Sequence, residues 1–88
     1  MITLFQAEWC PHSSKVRERL TELGIDFVAR QVEPWPEQRT DVDAIPTLET
    51  EDGTRITGED EILAYLDSTF EPWQYEREHR VRCREHAR

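Results

Sequence analysis

The spacing of apolar residues over the first 32 positions predicts a strand, a helix and a second strand, in that order. Positions 2–5 are β-branched and aromatic, which is typical of a short buried strand. Helical spacing then separates the apolar residues Val16, Leu20 and Leu23. The charged residues between them, Arg17 included, are expected to face water. Gly24 ends this pattern, and positions 27–32 predict a second strand, parallel to the first because a helix connects the two.

The middle of the chain predicts an irregular segment followed by a hairpin. Residues 36–43 have room for about two helical turns, but Val42 is their only aliphatic residue, so any helix there is short and loosely held. A strand is predicted at 45–50, entered through a proline. The Asp-Gly pair at 52–53 is a strong hairpin signal, and the returning strand is predicted at 55–57.

The last apolar pattern predicts a second helix with an acidic first turn. Gly58 breaks the chain, and residues 59–61 place three carboxylates where the helix dipole favours negative charge. The buried face of this helix is expected to consist of Ile62, Leu63, Leu66 and Phe70. Residues 1–70 are therefore expected to form one domain, followed by an extension at 71–88 that is an exposed helix or partly disordered.

Composition and charge narrow the class of protein. The 88 residues suffice for one domain, and the apolar runs are too short for a membrane span or a secretory signal. Residues 1–76 carry 6 basic and 17 acidic side chains, a net charge of −11, which argues against binding to nucleic acid. Two cysteines, Cys10 and Cys83, cannot form a disulfide scaffold, so a reducing, cytoplasmic location is expected.

Cys10 offers the clearest chemistry in the sequence. Pro11 suits the first position of a helix, which places Cys10 at or next to the N-cap. The free N–H groups and the dipole at a helix start favour the thiolate, which is the nucleophilic form. Ser13 can donate a hydrogen bond to the sulfur, and His12 and Lys15 lie near it in sequence. The alternative is a buried, inert cysteine, because free cysteines are usually buried as small apolar groups.

The order of the motifs resembles the thioredoxin fold. It comprises a strand, a Cys-Pro-x-Ser helix, a strand, an Ile-Pro strand, an Asp-Gly hairpin and a Gly-Glu-Asp helix. More narrowly, residues 2–70 resemble a glutaredoxin or the N-terminal domain of a glutathione transferase. The resemblance implies an α/β, three-layer fold with a four-stranded mixed sheet, in which the first two strands are parallel and the last two form a hairpin.

The resemblance also implies a catalytic motif. Cys10 matches the nucleophilic cysteine of the family, and Pro11 and His12 follow it in the motif. Ser13 stands where dithiol members carry their second cysteine. The implied mechanism is therefore a monothiol one.

A second set of matching residues is expected to bind the small thiol. Ile45-Pro46 matches a motif of the family in which the peptide bond before the proline is cis. In the family, the backbone of the residue before this proline pairs with glutathione, a role that falls to Ile45. Gly58, Glu59 and Asp60 match the start of the last helix, which takes the γ-glutamyl carboxylate. Asp60, and after it Glu59, is expected to meet the ammonium group. The alternative is that these carboxylates only cap the helix and face water.

The residues before Cys10 depart from the glutaredoxin pattern. Glutaredoxins usually carry a lysine there, which meets a carboxylate of glutathione, whereas this chain has Glu8. Lys15 or Arg39 is expected to take that role instead.

The leading hypothesis is a glutaredoxin-like oxidoreductase that reduces mixed disulfides between proteins and glutathione or a similar small thiol. The small thiol is the cosubstrate, and no metal or resident cofactor is expected. Two alternatives remain: a non-catalytic or partner-dependent glutathione-binding module like a transferase N-terminal domain, and an iron–sulfur cluster-binding monothiol glutaredoxin. The chain is expected to be a monomer or a weak dimer, and Cys83 an incidental thiol.

Overall fold

The computed structural model describes residues 1–33, 35–39 and 42–71. The expectations for the C-terminal extension, and for Cys83 within it, lie outside the described residues. Within the described ranges, no helix combines the length and the apolar character that crossing a membrane requires.

The described residues form a four-stranded sheet and two α-helices. In chain order the elements are β1 (Ile2–Gln6), α1 (Pro11–Glu22), β2 (Phe27–Gln31), β3 (Thr47–Glu49), β4 (Arg55–Thr57) and α2 (Glu59–Thr69). The order of strands across the sheet is β2-β1-β3-β4. β1 runs parallel to β2, whereas the β1–β3 and β3–β4 pairs are antiparallel. The predicted mixed sheet, its parallel first pair and its hairpin are therefore confirmed.

The main core lies between the sheet and the two helices. Alternate residues of β1 point toward this side, because side chains alternate across a strand. The buried members of this core are Ile2, Leu4, Val16, Leu20, Leu23, Leu48, Ile62 and Leu66. The apolar stripe predicted for α1 is thus confirmed. Of the face predicted for α2, Ile62 and Leu66 are buried, whereas Leu63 is half-buried and Phe70, also half-buried, lies just past the end of the helix.

The opposite face of the sheet carries a smaller core. It consists of Phe5, Val32, Val42 and the partly buried Ile45. The guanidinium groups of Arg30 and Arg55 lie 5.6 and 5.1 Å from the centre of the Phe5 ring, within the range of cation–π contacts. This face is therefore covered by the β2–β3 connection and by arginine side chains.

Two elements are shorter than the sequence predicts. The segment with room for two helical turns contains one 3₁₀ turn, Pro36–Gln38, because it offers the core little besides Val42. β3 begins at Thr47 rather than at position 45. The reason is that Pro46 has no N–H group to donate to a strand ladder.

Gly58 connects β4 to α2 in a backbone conformation that other residues rarely adopt. Its φ is 97° and its ψ is 145°. Its N–H donates to the carbonyl of Pro46 at 2.9 Å, which ties the start of α2 to the segment before β3. A Cβ at this position would meet nothing within 4 Å. The need for glycine is therefore conformational and does not come from crowding.

We expect Gly58→Ala to lower the free energy of unfolding by about 1–3 kcal/mol, the usual cost of such a backbone conformation for a residue with a Cβ. Urea unfolding of the purified chain measures this difference. The matched control is Ser68→Ala at the exposed end of α2, where the hydroxyl donates to the Tyr65 carbonyl of the same helix. This control should change stability by about 0.5 kcal/mol or less. Equal stability of Gly58→Ala and the unaltered chain would contradict the assignment.

Candidate functional site

Cys10 lies where the central strand of the sheet passes into the first helix. Residues 7–10 connect β1 to α1, and Cys10 is the N-cap, with Pro11 at the first helical position. The predicted placement at a helix start is therefore confirmed. The Cys10 N–H donates to the Ala7 carbonyl at 3.1 Å, and the Cys10 carbonyl accepts the Ser14 N–H at 3.0 Å. The residue is 7% exposed, so only a small part of it meets solvent.

The start of α1 favours the ionised form of the Cys10 thiol. Burial raises the pKa of this thiol, but hydrogen bonds from the Ser13 N–H, the Ser13 hydroxyl and the His12 N–H outweigh that effect. The positive charge of Arg17 acts in the same direction as these bonds. The pKa therefore lies below the ordinary value for cysteine.

Ser13 keeps its hydroxyl hydrogen available for the Cys10 sulfur. The residue is fully buried. The Ala7 N–H donates to Ser13 Oγ over a long contact of 3.5 Å. Because Oγ is the acceptor there, the hydroxyl hydrogen is left for the Cys10 thiolate. This geometry agrees with the expectation that Ser13 hydrogen-bonds the sulfur.

A groove opens beside the start of α1. Its volume is about 580 Å³, within the range of small-molecule sites. It is lined by His12, Ile45, Pro46, Gly58, Glu59, Asp60 and Glu61. The bond between Ile45 and Pro46 is cis, as the resemblance implied. The structure thus brings six residues singled out in the sequence onto one surface, and it adds Glu61.

Glu59 links the starts of the two helices across this groove. One carboxylate oxygen lies 2.8 Å from His12 Nδ1, and the other lies 3.8 Å from Lys15 Nζ. The Glu59 side chain is 16% exposed, whereas those of His12 and Lys15 are about two-thirds exposed. Glu59 is therefore engaged within the protein. Asp60, by contrast, is exposed at the groove.

Arg39 is not among the residues that line the groove. Its guanidinium donates to the carbonyls of Glu33 and Asp43, both at 3.0 Å, and so holds the connection between β2 and β3. The structure therefore does not bring Arg39 to the groove. Lys15, the other residue expected to meet a carboxylate of the small thiol, reaches Glu59 at the groove edge.

A polar cluster beside the Cys10 loop is not indicated by the sequence pattern. It consists of Gln6, Glu8 and Arg17, and we call it the Arg17 cluster. Arg17 was expected to face water, but its side chain is 21% exposed and turns back to Gln6 and Glu8. Gln6 is fully buried at the end of β1. A polar residue at the end of a buried strand needs a hydrogen-bond partner. The position of Gln6 is therefore the feature of the sequence that could have indicated this cluster.

A second, larger groove lies at the other end of the sheet. It has a volume of about 770 Å³ and is lined in part by Ile25, Tyr65 and Phe70. None of the residues predicted to take part in catalysis or binding lines it.

Solved structures of glutathione S-transferases are similar to this fold. The glutathione S-transferase from Rhodospirillum rubrum F11 matches with a TM-score of 0.71 and 27% identity, over 80% of this chain and 34% of that chain. A glutathione S-transferase domain-containing protein from Marinobacter aquaeolei VT8 matches with a TM-score of 0.68 and 26% identity, over 81% of this chain and 40% of that chain. A glutathione S-transferase from Methylobacterium radiotolerans JCM 2831, in complex with glutathione sulfonate, matches with a TM-score of 0.69 and 24% identity, over 78% of this chain and 35% of that chain. The chain spans 34–40% of the length of these three proteins.

The sequence itself matches the same family. None of the curated proteins is similar enough to count as a match. The model of the family described as glutathione S-transferase, N-terminal domain, matches residues 4–74. That range covers most of the chain and includes Cys10, the cis proline and the start of α2. The chain therefore belongs to the family of glutathione S-transferase N-terminal domains, and its fold is thioredoxin-like.

Proposed function

We propose that this domain binds glutathione or a similar small thiol and uses Cys10 to exchange disulfides by a monothiol mechanism. The observation that carries the proposal is a cysteine of lowered pKa at the start of a helix whose second residue, His12, lines a groove. Family membership supports a small thiol as ligand. Two similar structures contain glutathione or its sulfonate: rice GST1 is in complex with glutathione, and the M. radiotolerans protein is in complex with glutathione sulfonate.

In the first step, the Cys10 thiolate attacks the small-thiol sulfur of a mixed disulfide between a protein and that thiol. The S–S bond of the substrate breaks as a new S–S bond forms between Cys10 and the small thiol. The substrate protein leaves as a thiolate, which takes a proton from water. The lowered pKa supplies the attacking anion at a pH where an ordinary cysteine is mostly protonated.

A second small thiol completes the cycle. Its thiolate attacks the small-thiol sulfur attached to Cys10, so Cys10 leaves as a thiolate and a symmetrical disulfide is released. The protein substrate has then been reduced and the second small thiol oxidised. Ser13 has no thiol and cannot form an internal disulfide with Cys10, which is why the second small thiol is required. The N–H groups of His12 and Ser13 stabilise Cys10 again as it leaves.

The groove provides complementary groups for a peptide-like thiol. We assign the backbone of Ile45 to the peptide group of the ligand, in the manner of a short strand addition. The start of α2 receives the γ-glutamyl carboxylate. Asp60 meets the ligand's ammonium group. Glu59 is the weaker choice, because its two oxygens already contact His12 and Lys15.

A second candidate is a glutathione-binding module that works only with a partner. The observation that favours it is that the chain spans 34–40% of the three similar glutathione S-transferases. A conjugation reaction also needs a hydrophobic pocket for the second substrate. In this case the domain binds the small thiol, and the isolated chain does not turn over mixed disulfides.

We expect Cys10→Ser to reduce turnover of a glutathionylated peptide about 100-fold or more, because the nucleophile is lost. The unaltered chain, treated with glutathione disulfide, should gain one glutathione on Cys10, located by mass spectrometry after digestion. Cys83→Ser is the control and should keep both properties.

Full turnover by Cys10→Ser would exclude the proposed mechanism. An unaltered chain that forms the Cys10 adduct but shows no turnover would favour the partner-dependent module.

We expect Asp60→Asn to raise the glutathione concentration needed for half-maximal turnover by a factor of about 1.4 to 5, since an exposed ion pair contributes about 0.2–1 kcal/mol. The maximal rate should stay the same. Steady-state kinetics at varied glutathione concentration measure both quantities. Asp26→Asn makes the same charge change at the other groove, and equal effects of the two substitutions would contradict a specific role for Asp60.

A further inference from the structure

We propose that Arg17 is a positioning residue: it holds the loop before Cys10 in the conformation that stabilises the Cys10 thiolate. The inference rests on the proposed function of Cys10 and adds a residue that the family resemblance does not supply. Arg17 acts through the three residues at the end of β1 and the start of the loop, which are Gln6, Ala7 and Glu8.

The guanidinium of Arg17 contacts three consecutive residues. Its Nη1 donates to the side-chain oxygen of Gln6 and, at 3.4 Å, to the carbonyl of Ala7. Its Nη2 lies 3.3 Å from a carboxylate oxygen of Glu8. Gln6 completes the Arg17 cluster, because its Nε2 donates to the other Glu8 oxygen at 3.2 Å. One planar group with five donors therefore joins the end of β1 to the second turn of α1.

Ala7 transmits this constraint to the reactive cysteine. Its carbonyl, which accepts from Arg17, also accepts the Cys10 N–H at 3.1 Å. Its N–H donates to Ser13 Oγ at 3.5 Å. Arg17 thus holds the residue that orients both the N-cap and the hydroxyl beside the sulfur. A displaced Ala7 would release the Ser13 hydroxyl from the orientation that stabilises the thiolate.

Burial makes this arrangement specific to arginine. Gln6 is fully buried, so its amide must find its partners within the protein. Arginine reaches Gln6 and Ala7 through Nη1 and Glu8 through Nη2. A lysine has all its donors on one nitrogen, so it cannot reproduce this two-nitrogen fork. Arg17→Lys therefore keeps the positive charge and removes the geometry.

Charge and geometry have opposite consequences at Glu8. Its side chain is 65% exposed and pairs with Arg17. If Arg17 acted on Cys10 through charge alone, removing the Glu8 carboxylate would favour the thiolate further. If Arg17 acts by position, the same change loosens the loop and disfavours the thiolate. His12 and Lys15, the titratable groups at the start of α1, both contact Glu59 and are unaltered by this change.

The test is the rate of Cys10 alkylation by iodoacetamide as a function of pH, measured on the full chain with the labelled peptide identified by mass. We expect Arg17→Lys to lower the alkylation rate roughly three- to tenfold at mildly acidic pH and to move the midpoint upward. Arg17→Gln should lower it at least as much, because it also removes the positive charge that favours the thiolate. Arg19→Lys and Arg19→Gln are the controls on the same helix. Arg19 pairs with Glu22 and Asp67 instead, so these controls should keep the original profile.

An unaltered profile in Arg17→Lys would overturn the positioning role, whether or not Arg17→Gln changes. If circular dichroism shows that the Arg17 variants do not fold, Glu8→Ala decides, because this exposed position tolerates truncation. Slower alkylation in Glu8→Ala supports the proposal. An equal or faster rate overturns it.

The alkylation measurement needs no turnover, so the two proposals fail separately. If the original chain does not reduce mixed disulfides, the proposed function is contradicted, and the alkylation profiles still test the role of Arg17. Unaltered alkylation in the Arg17 variants, beside full turnover of the original chain, contradicts only the role of Arg17.

Discussion

The free N–H groups at the start of α1 are the interaction on which the candidate site depends. Cys10 is the N-cap, and Pro11 has no N–H, so the next two groups, those of His12 and Ser13, stabilise the thiolate. Burial alone would raise the pKa of the Cys10 thiol and disfavour the thiolate. The helix start reverses that tendency, and the Ser13 hydroxyl and the charge of Arg17 act in the same direction. Local backbone geometry therefore produces the nucleophile.

The sheet brings this helix start against the second half of the site. β1 is a central strand, paired with β2 on one side and β3 on the other, and it leads directly into the loop before Cys10. The cis Pro46 precedes β3, and its carbonyl holds Gly58 at the start of α2. Glu59 then reaches back to His12. One groove therefore lies between two helix starts, each of which favours an anionic group.

Local signals in the sequence predict the elements and half of the site. Pro11 directly after Cys10 predicts the helix start, because proline fits the first helical position and not the interior. The partners of that helix start depend on packing instead. Arg17 bonds a strand residue 11 positions away, and His12 contacts Glu59 across 47 positions. A helical pattern assigns such charged side chains to solvent, since it holds no information about the neighbouring strand or helix.

The central claim is that Cys10 ionises more readily than an ordinary cysteine. The ultraviolet absorbance of the thiolate, followed with pH in the original chain and in Cys10→Ser, reports this one group by difference, because Cys83 is present in both. The account predicts a midpoint below about 8.5, the value of an unperturbed cysteine. A midpoint at or above that value would contradict it.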